Sequence, residues 1–304
     1  MANSIANKKI FLVFENRYRQ LAALLANENY KQKIMGEIIW FSSIIHHLRN
    51  TGHQVLHCSP YNFAQLYSLH RDKKEDFILL MDRYTIQKTM NLIKKDINRV
   101  FCMCIWGKTS DDLNRLGISA LSCKQVLTQF DYGLSNTYLG FDMSVLCPYI
   151  EKNKYKPFGL LWGKDIEYIN IPLVTFLTSK GMKFYTVSQT KLNLENVTDL
   201  GILSKSEWTQ LLHDTTFLLG SGNPKSGTSI LEALYYKTAI VAPRYQIPEC
   251  VDNNNVHLID GLQPIDIFNL LNNISFVEDH RIDTLVSVDM LSERIENIFY
   301  RSII

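Results

Sequence analysis

Short apolar runs alternate with stretches of helical period along the whole chain, and this alternation constrains the fold more than any other feature. Residues 10–14, Ile-Phe-Leu-Val-Phe, are too few for a secretory core segment and read as part of a strand over 9–14. Apolar side chains then fall at Ile34, Ile38, Phe41, Ile45 and Leu48, spaced four, three, four and three apart. That is one face of a helix over 34–51, with Gly52 where a C-terminal cap belongs. Strands follow over 54–58, 77–81 and 100–105, with a helix over 84–95 between the last two. Strands separated by helices pair in parallel, which predicts an α/β doubly wound sheet.

The pattern then restarts. Two prolines and four charges between 147 and 157 mark a linker. Beyond it come strands over 158–162, 182–187, 217–219, 239–242 and 256–259. Helices are expected over 166–180, from a capping box at Ser204 and Glu207 to about 213, over 228–236, near 264–272, and near 289–301. A chain of 304 residues with 46% hydrophobic residues is large enough for two cores, one domain over 1–150 and another over 151–304. The last helix is able to cross back onto the first domain. Two similar halves facing across a cleft is the economical arrangement, with ligands at the carboxyl ends of the strands.

Several function classes recede on composition. Lys and Arg number 32 against 30 Asp and Glu, so no basic field points to nucleic acid. No apolar run is long enough to cross a membrane, and the six cysteines show no C-x-x-C pair, so the chain is expected to be a reduced, cytoplasmic protein. His46 and His47 lie off the five-residue apolar face of their helix, and Cys102 and Cys104 share one face of a strand, an arrangement that favours packing over metal binding. No metal is expected, and no Asp-x-Asp occurs.

The densest stretch is Phe217 to Leu234. A strand enters a loop with glycines at 220, 222 and 227 and passes directly into a helix. Glycines let the backbone approach a ligand, and the helix start offers unpaired N–H groups and partial positive charge to a diphosphate. Gly222, Ser226, Gly227, Thr228 and Ser229 are therefore candidate phosphate contacts, with Thr228 and Ser229 adding hydroxyls. One turn into the helix, Glu232 can accept hydrogen bonds from both hydroxyls of a ribose. A plain glycine turn with Glu232 on a solvated face fits the same residues. A Walker A loop does not, because Pro224-Lys225-Ser226-Gly227 has the wrong order.

These residues, with Gly201-Ile-Leu-Ser204 before them and Leu231-Glu232-Ala233 after, closely resemble the N-acetylglucosaminyltransferase V family of α-1,6-mannosyl-glycoprotein 6-β-N-acetylglucosaminyltransferases. Gly36-Glu37-Ile-Ile-Trp40 running to Gly52-His53, Asn136-Thr-Tyr-Leu-Gly-Phe141 and Leu161-Trp-Gly-Lys164 resemble further family motifs, in the family's order. The resemblance implies a GT-B architecture, two Rossmann-like domains facing across a cleft. It also implies inverting, metal-independent transfer of a sugar from a nucleotide donor, UDP-N-acetylglucosamine, to a glycan or glycoconjugate hydroxyl. It assigns Glu37 as the base and uridine recognition to backbone groups at Ile202 and Leu203. Lys164 is a candidate cation for the leaving diphosphate.

One departure is at Lys225-Ser226-Gly227, where the family has Tyr-Glu-Gly. A donor-side carboxylate is thereby lost, which leaves open a second expectation: a non-catalytic GT-B-like nucleotide- or glycan-binding protein. Each candidate also has a plain alternative. Glu37 could simply complement a helix dipole, Lys164 could sit in water, and Ile202 and Leu203 could be core.

Overall fold

The computed structural model describes residues 9–14, 36–71, 73, 77–104, 114, 115, 117, 121, 124–128, 159–162, 169–188, 191–220, 228–247, 251–282, 291 and 293–295. They group into two compact units, each built on its own parallel sheet. The expected linker and the 150/151 division lie outside the described residues. Of the expected last helix, residues 291 and 293–295 are helical; Leu291 and Ile295 are buried and group with the first unit.

The first unit runs β1 (Lys9–Val13), α1 (Gly36–Asn50), β2 (Gln54–Cys58), α2 (Pro60–Arg71), β3 (Phe77–Asp82), α3 (Arg83–Ile93), a 3-10 segment (Lys94–Arg99), β4 (Val100–Cys104) and β5 (Gln125–Thr128). Its strands lie in the order β2-β1-β3-β4-β5, every pair parallel. The chain steps outward from β1 to β2 and then returns across β1 to β3, so the sheet's topological switch point lies between β1 and β3.

Alternation along β1 feeds both faces. Phe11 and Val13 join Phe63, Tyr67 and Phe77 in one cluster, where the Phe11 ring meets those of Phe63 and Phe77 edge-on, both at 5.9 Å. On the other face, Phe14 stacks on Phe41 of α1 at 3.8 Å between ring centres. The expected helix face proves too narrow: Trp40, Ile44 and His47 are buried beside Phe41, Ile45 and Leu48. His47 is thus a covered side chain rather than one off the apolar stripe. Helix α1 ends as expected, with Gly52 at φ 88° and paired bonds from Gly52 N to Arg49 O (3.0 Å) and from His53 N to Leu48 O (2.9 Å). Cys58 and Cys102 are buried, and burial pushes the Cys58 thiol up to about 12.

The second unit runs β6 (Gly159–Trp162), α4 (Ile171–Ser179), β7 (Phe184–Thr186), β8 (Val197–Asp199), α5 (Lys205–Asp214), β9 (Phe217–Gly220), α6 (Thr228–Tyr235), β10 (Ala239–Ala242), β11 (Val256–Leu258) and α7 (Pro264–Asn273). The sheet order is β11-β10-β9-β6-β7-β8, all parallel. Counted from its own first strand, this is the doubly wound order of dinucleotide-binding sheets, with the switch point between β6 and β9. Helix α4 starts later than the expected 166, because Asn170 caps it by accepting from Leu173 N at 3.2 Å and Pro172 sits in its first turn.

Gly159 makes the centre of this sheet possible. It pairs with Phe184 on one side and Phe217 on the other, and those two rings meet edge-on at 6.1 Å. A Cβ at Gly159 would lie 2.6 Å from the Phe217 ring and 2.7 Å from that of Phe184. Gly159→Ala is therefore expected to destabilise the protein by about 1–3 kcal/mol through overpacking, read as a lower urea midpoint at unchanged slope.

Candidate active site

Strands β6 and β9 end side by side, Trp162 opposite Gly220. The segment carrying Lys164 leaves the first of these ends, and the glycine-rich segment leaves the second. Chain order and sheet order together thus send both candidate segments from the same edge of the switch point. Lys164, Gly222, Ser226 and Gly227 themselves lie outside the described residues, as do Asn136–Phe141 and the side chains of Glu37 and Thr228.

Thr228 is the first residue of α6, so the helix N-terminus opens where the glycine-rich segment ends. Ser229 is half-buried in the first turn. Glu232 is only 8% exposed, and its Oε2 accepts a hydrogen bond from Trp208 Nε1 at 3.1 Å. The solvated-face alternative for Glu232 is thereby excluded. The carboxylate is buried and held, at a cost in desolvation that the indole N–H partly offsets.

Trp208 was not among the expected site residues. It stands in the first turn of α5, whose start is fixed by a reciprocal capping box. Ser204 Oγ accepts from Glu207 N at 3.3 Å, and Ser204 N donates to Glu207 Oε2 at 2.7 Å. The capping box was legible; the contact made one residue beyond it was not. Just before the cap, Gly201 takes φ 70°, Ile202 is 44% exposed and Leu203 is half-buried. Ile202 is therefore not a core residue. Upstream, Asp199 accepts from Leu192 N through both carboxylate oxygens at 3.1 Å, tying the chain at the end of β8.

In the first unit, Glu37 is the second residue of α1, the helix that follows β1, and so belongs to the carboxyl edge of the sheet beside its switch point. At the same edge, Asp82 at the end of β3 caps α3 by accepting from Thr85 N at 2.8 Å. Among the described residues, no group of three or more His, Cys, Asp or Glu side chains is placed to hold a metal ion. None of the described helices is long and apolar enough to cross a membrane.

The family model for glycosyltransferase family 18 matches residues 96–259, more than half of the chain. The chain belongs to glycosyltransferase family 18. No curated protein matches this family member in sequence. Its fold is shared with Anabaena Alr3699/HepE, solved with UDP and glucose (TM-score 0.60, 12% identity, 97% of this chain and 100% of that one). It is shared also with sucrose-phosphate synthase from Thermosynechococcus elongatus (0.62, 9%, 97% and 99%). A third neighbour is an α-glucosyltransferase in complex with UDP and a 13-mer DNA (0.62, 10%, 97% and 100%). The family 18 chain is thus a glycosyltransferase with the GT-B architecture of two Rossmann-like units. The expectation that nucleic acid is no partner gains no support from this set, since one neighbour is seen with DNA.

The cap that sets α5 gives a direct test of local energetics. Ser204→Ala is expected to cost about 1 kcal/mol and to speed amide exchange in the first turn of α5. Hydrogen exchange read by mass spectrometry on peptides covering Ser204–Asp214 measures it.

Proposed function

We propose that this family 18 glycosyltransferase moves N-acetylglucosamine from UDP-N-acetylglucosamine to a hydroxyl of a glycan or glycoconjugate, in the cytoplasm, with inversion and without a metal. The observation that carries the donor half of this reading is Glu232: a buried, indole-held carboxylate on the helix that begins where the glycine-rich segment of the switch-point strand ends. There the diphosphate takes the N-terminus of α6 and the loop donors Gly222, Ser226, Gly227, Thr228 and Ser229, with Lys164 as an added cation. The two ribose hydroxyls donate to Glu232, and uracil meets the Ile202–Leu203 backbone. The N-acetylglucosaminyltransferase V resemblance supports the choice of sugar. Neighbours solved with UDP support the choice of nucleotide.

The reaction is a single displacement. The acceptor oxygen attacks the anomeric carbon from the face opposite the diphosphate and gives its proton to Glu37. The bond from that carbon to the diphosphate breaks, and UDP leaves with the electron pair. The positive end of α6 stabilises the charge that develops on the leaving group, which is the electrostatic work a metal does in other transferases.

Thermal-shift measurements on the purified chain come first. UDP at about 100 times its dissociation constant adds about 2.7 kcal/mol, a rise of a few degrees in Tm. Glu232→Ala is expected to remove most of that rise. Glu37→Ala is expected to keep it while lowering UDP release in the presence of acceptor glycans by about a hundredfold or more. EDTA is expected to leave that release unchanged. Full turnover in Glu37→Ala would overturn the base assignment, and UDP binding with no release from any donor would favour the non-catalytic alternative.

A further inference from the structure

The strand that carries the Ile202–Leu203 segment is at the far edge of the second sheet from β9. From β9 the order runs β6, β7, β8, so three strand spacings, about 14 Å, separate the two. A site that uses both the segment after β8 and Glu232 needs something to hold them in register. Helix α5 is that element, because it leaves β8 and returns to β9.

It is fixed to the α6–β10 segment at both ends. In its first turn, Trp208 Nε1 donates to Glu232 Oε2 at 3.1 Å. In its last turn, Leu212 O accepts from Thr238 Oγ1 at 2.6 Å, and the His213 ring lies 5.2 Å from that of Tyr236. The capping box sets the helix start directly after Leu203, so the Ile202–Leu203 backbone, Trp208 and Glu232 form one connected series.

We infer that Trp208 is a positioning residue that sets the ribonucleoside specificity of the donor site. It occupies one lone pair of the Glu232 carboxylate and so fixes the plane in which that group meets the two ribose hydroxyls. A phenyl ring in its place would keep an aromatic side chain there and remove that hydrogen bond, loosening the hold on the carboxylate plane. The inference rests on the donor reading above, in which Glu232 accepts from the ribose.

The test compares UDP with its 2′,3′-dideoxy analogue by calorimetry, on the wild-type chain and on Trp208→Phe. Wild type is expected to prefer UDP by about tenfold or more, the value of a charge-assisted hydrogen bond. Trp208→Phe is expected to lose about tenfold in UDP affinity, keep its affinity for the dideoxy analogue, and so lose the preference. Trp208→Tyr, which keeps a ring and moves the donor, carries the same comparison should the phenylalanine variant not fold, and is expected to show a reduced preference. Equal losses for both ligands would mean that Trp208 only supports the fold, and would overturn the inference while leaving the donor reading intact. An unchanged preference in a folded variant would overturn it too. A wild-type chain with no preference for UDP, or no binding of it, would overturn the donor reading and this inference together.

Discussion

The pairing of β6 with β9 is the constraint on which the second unit and its candidate site depend. These strands are neighbours in the sheet although, among the described residues, two helices and two other strands separate them in the chain. Closing that loop costs chain entropy that no local contact returns. What offsets it is a close apolar fit: Phe184 and Phe217 meet across the bare backbone of Gly159, in one cluster with Leu161 and Leu219. The residue that permits the fit stands three positions before Trp162, at the opposite end of the strand from the site. The close packing below and the carboxyl edge above are thus two ends of one strand pair.

Helix α5 joins two segments of that sheet's carboxyl edge. The carboxyl edge of a parallel sheet offers loops, and loops alone hold side chains loosely. Here one loop is followed at once by a reciprocal cap, a helix and an indole that reaches a carboxylate on the next helix. Trp208 thus ties Glu232 to the start of α5 as well as to its own helix. A pre-positioned acceptor adds affinity because little side-chain freedom remains to be lost on binding.

Most elements were legible where local chemistry alone decides them. The strands at 54–58 and 239–242 and the capping box at Ser204 and Glu207 follow from apolar runs and side-chain spacing, and the structure has them at those residues. Helix α2 escaped notice because only Phe63 and Tyr67 among its residues are buried, too thin a stripe to declare a period. Strand β8 is a three-residue edge strand with no buried position, and β5 has four residues. The expected helix over 84–95 breaks into α3 and a 3-10 segment, where Asp96 departs from helical geometry to receive the Tyr67 hydroxyl and the Arg71 and Arg99 guanidinium groups. Trp208 was invisible for a different reason. Its partner lies 24 residues ahead, across a crossover that only the sheet order reveals.

The family match covers the two units unequally. It begins at residue 96, before β4, and ends at Ile259, just past β11, so it takes in every strand of the second sheet but leaves out β1, β2, β3 and α1. In the first unit the order β2-β1-β3-β4-β5 reverses direction at β1, which opens a crevice beside the helix that follows it. Glu37 stands at the start of that helix. Its proposed role as base rests on this topology and on the motif resemblance, not on the family match.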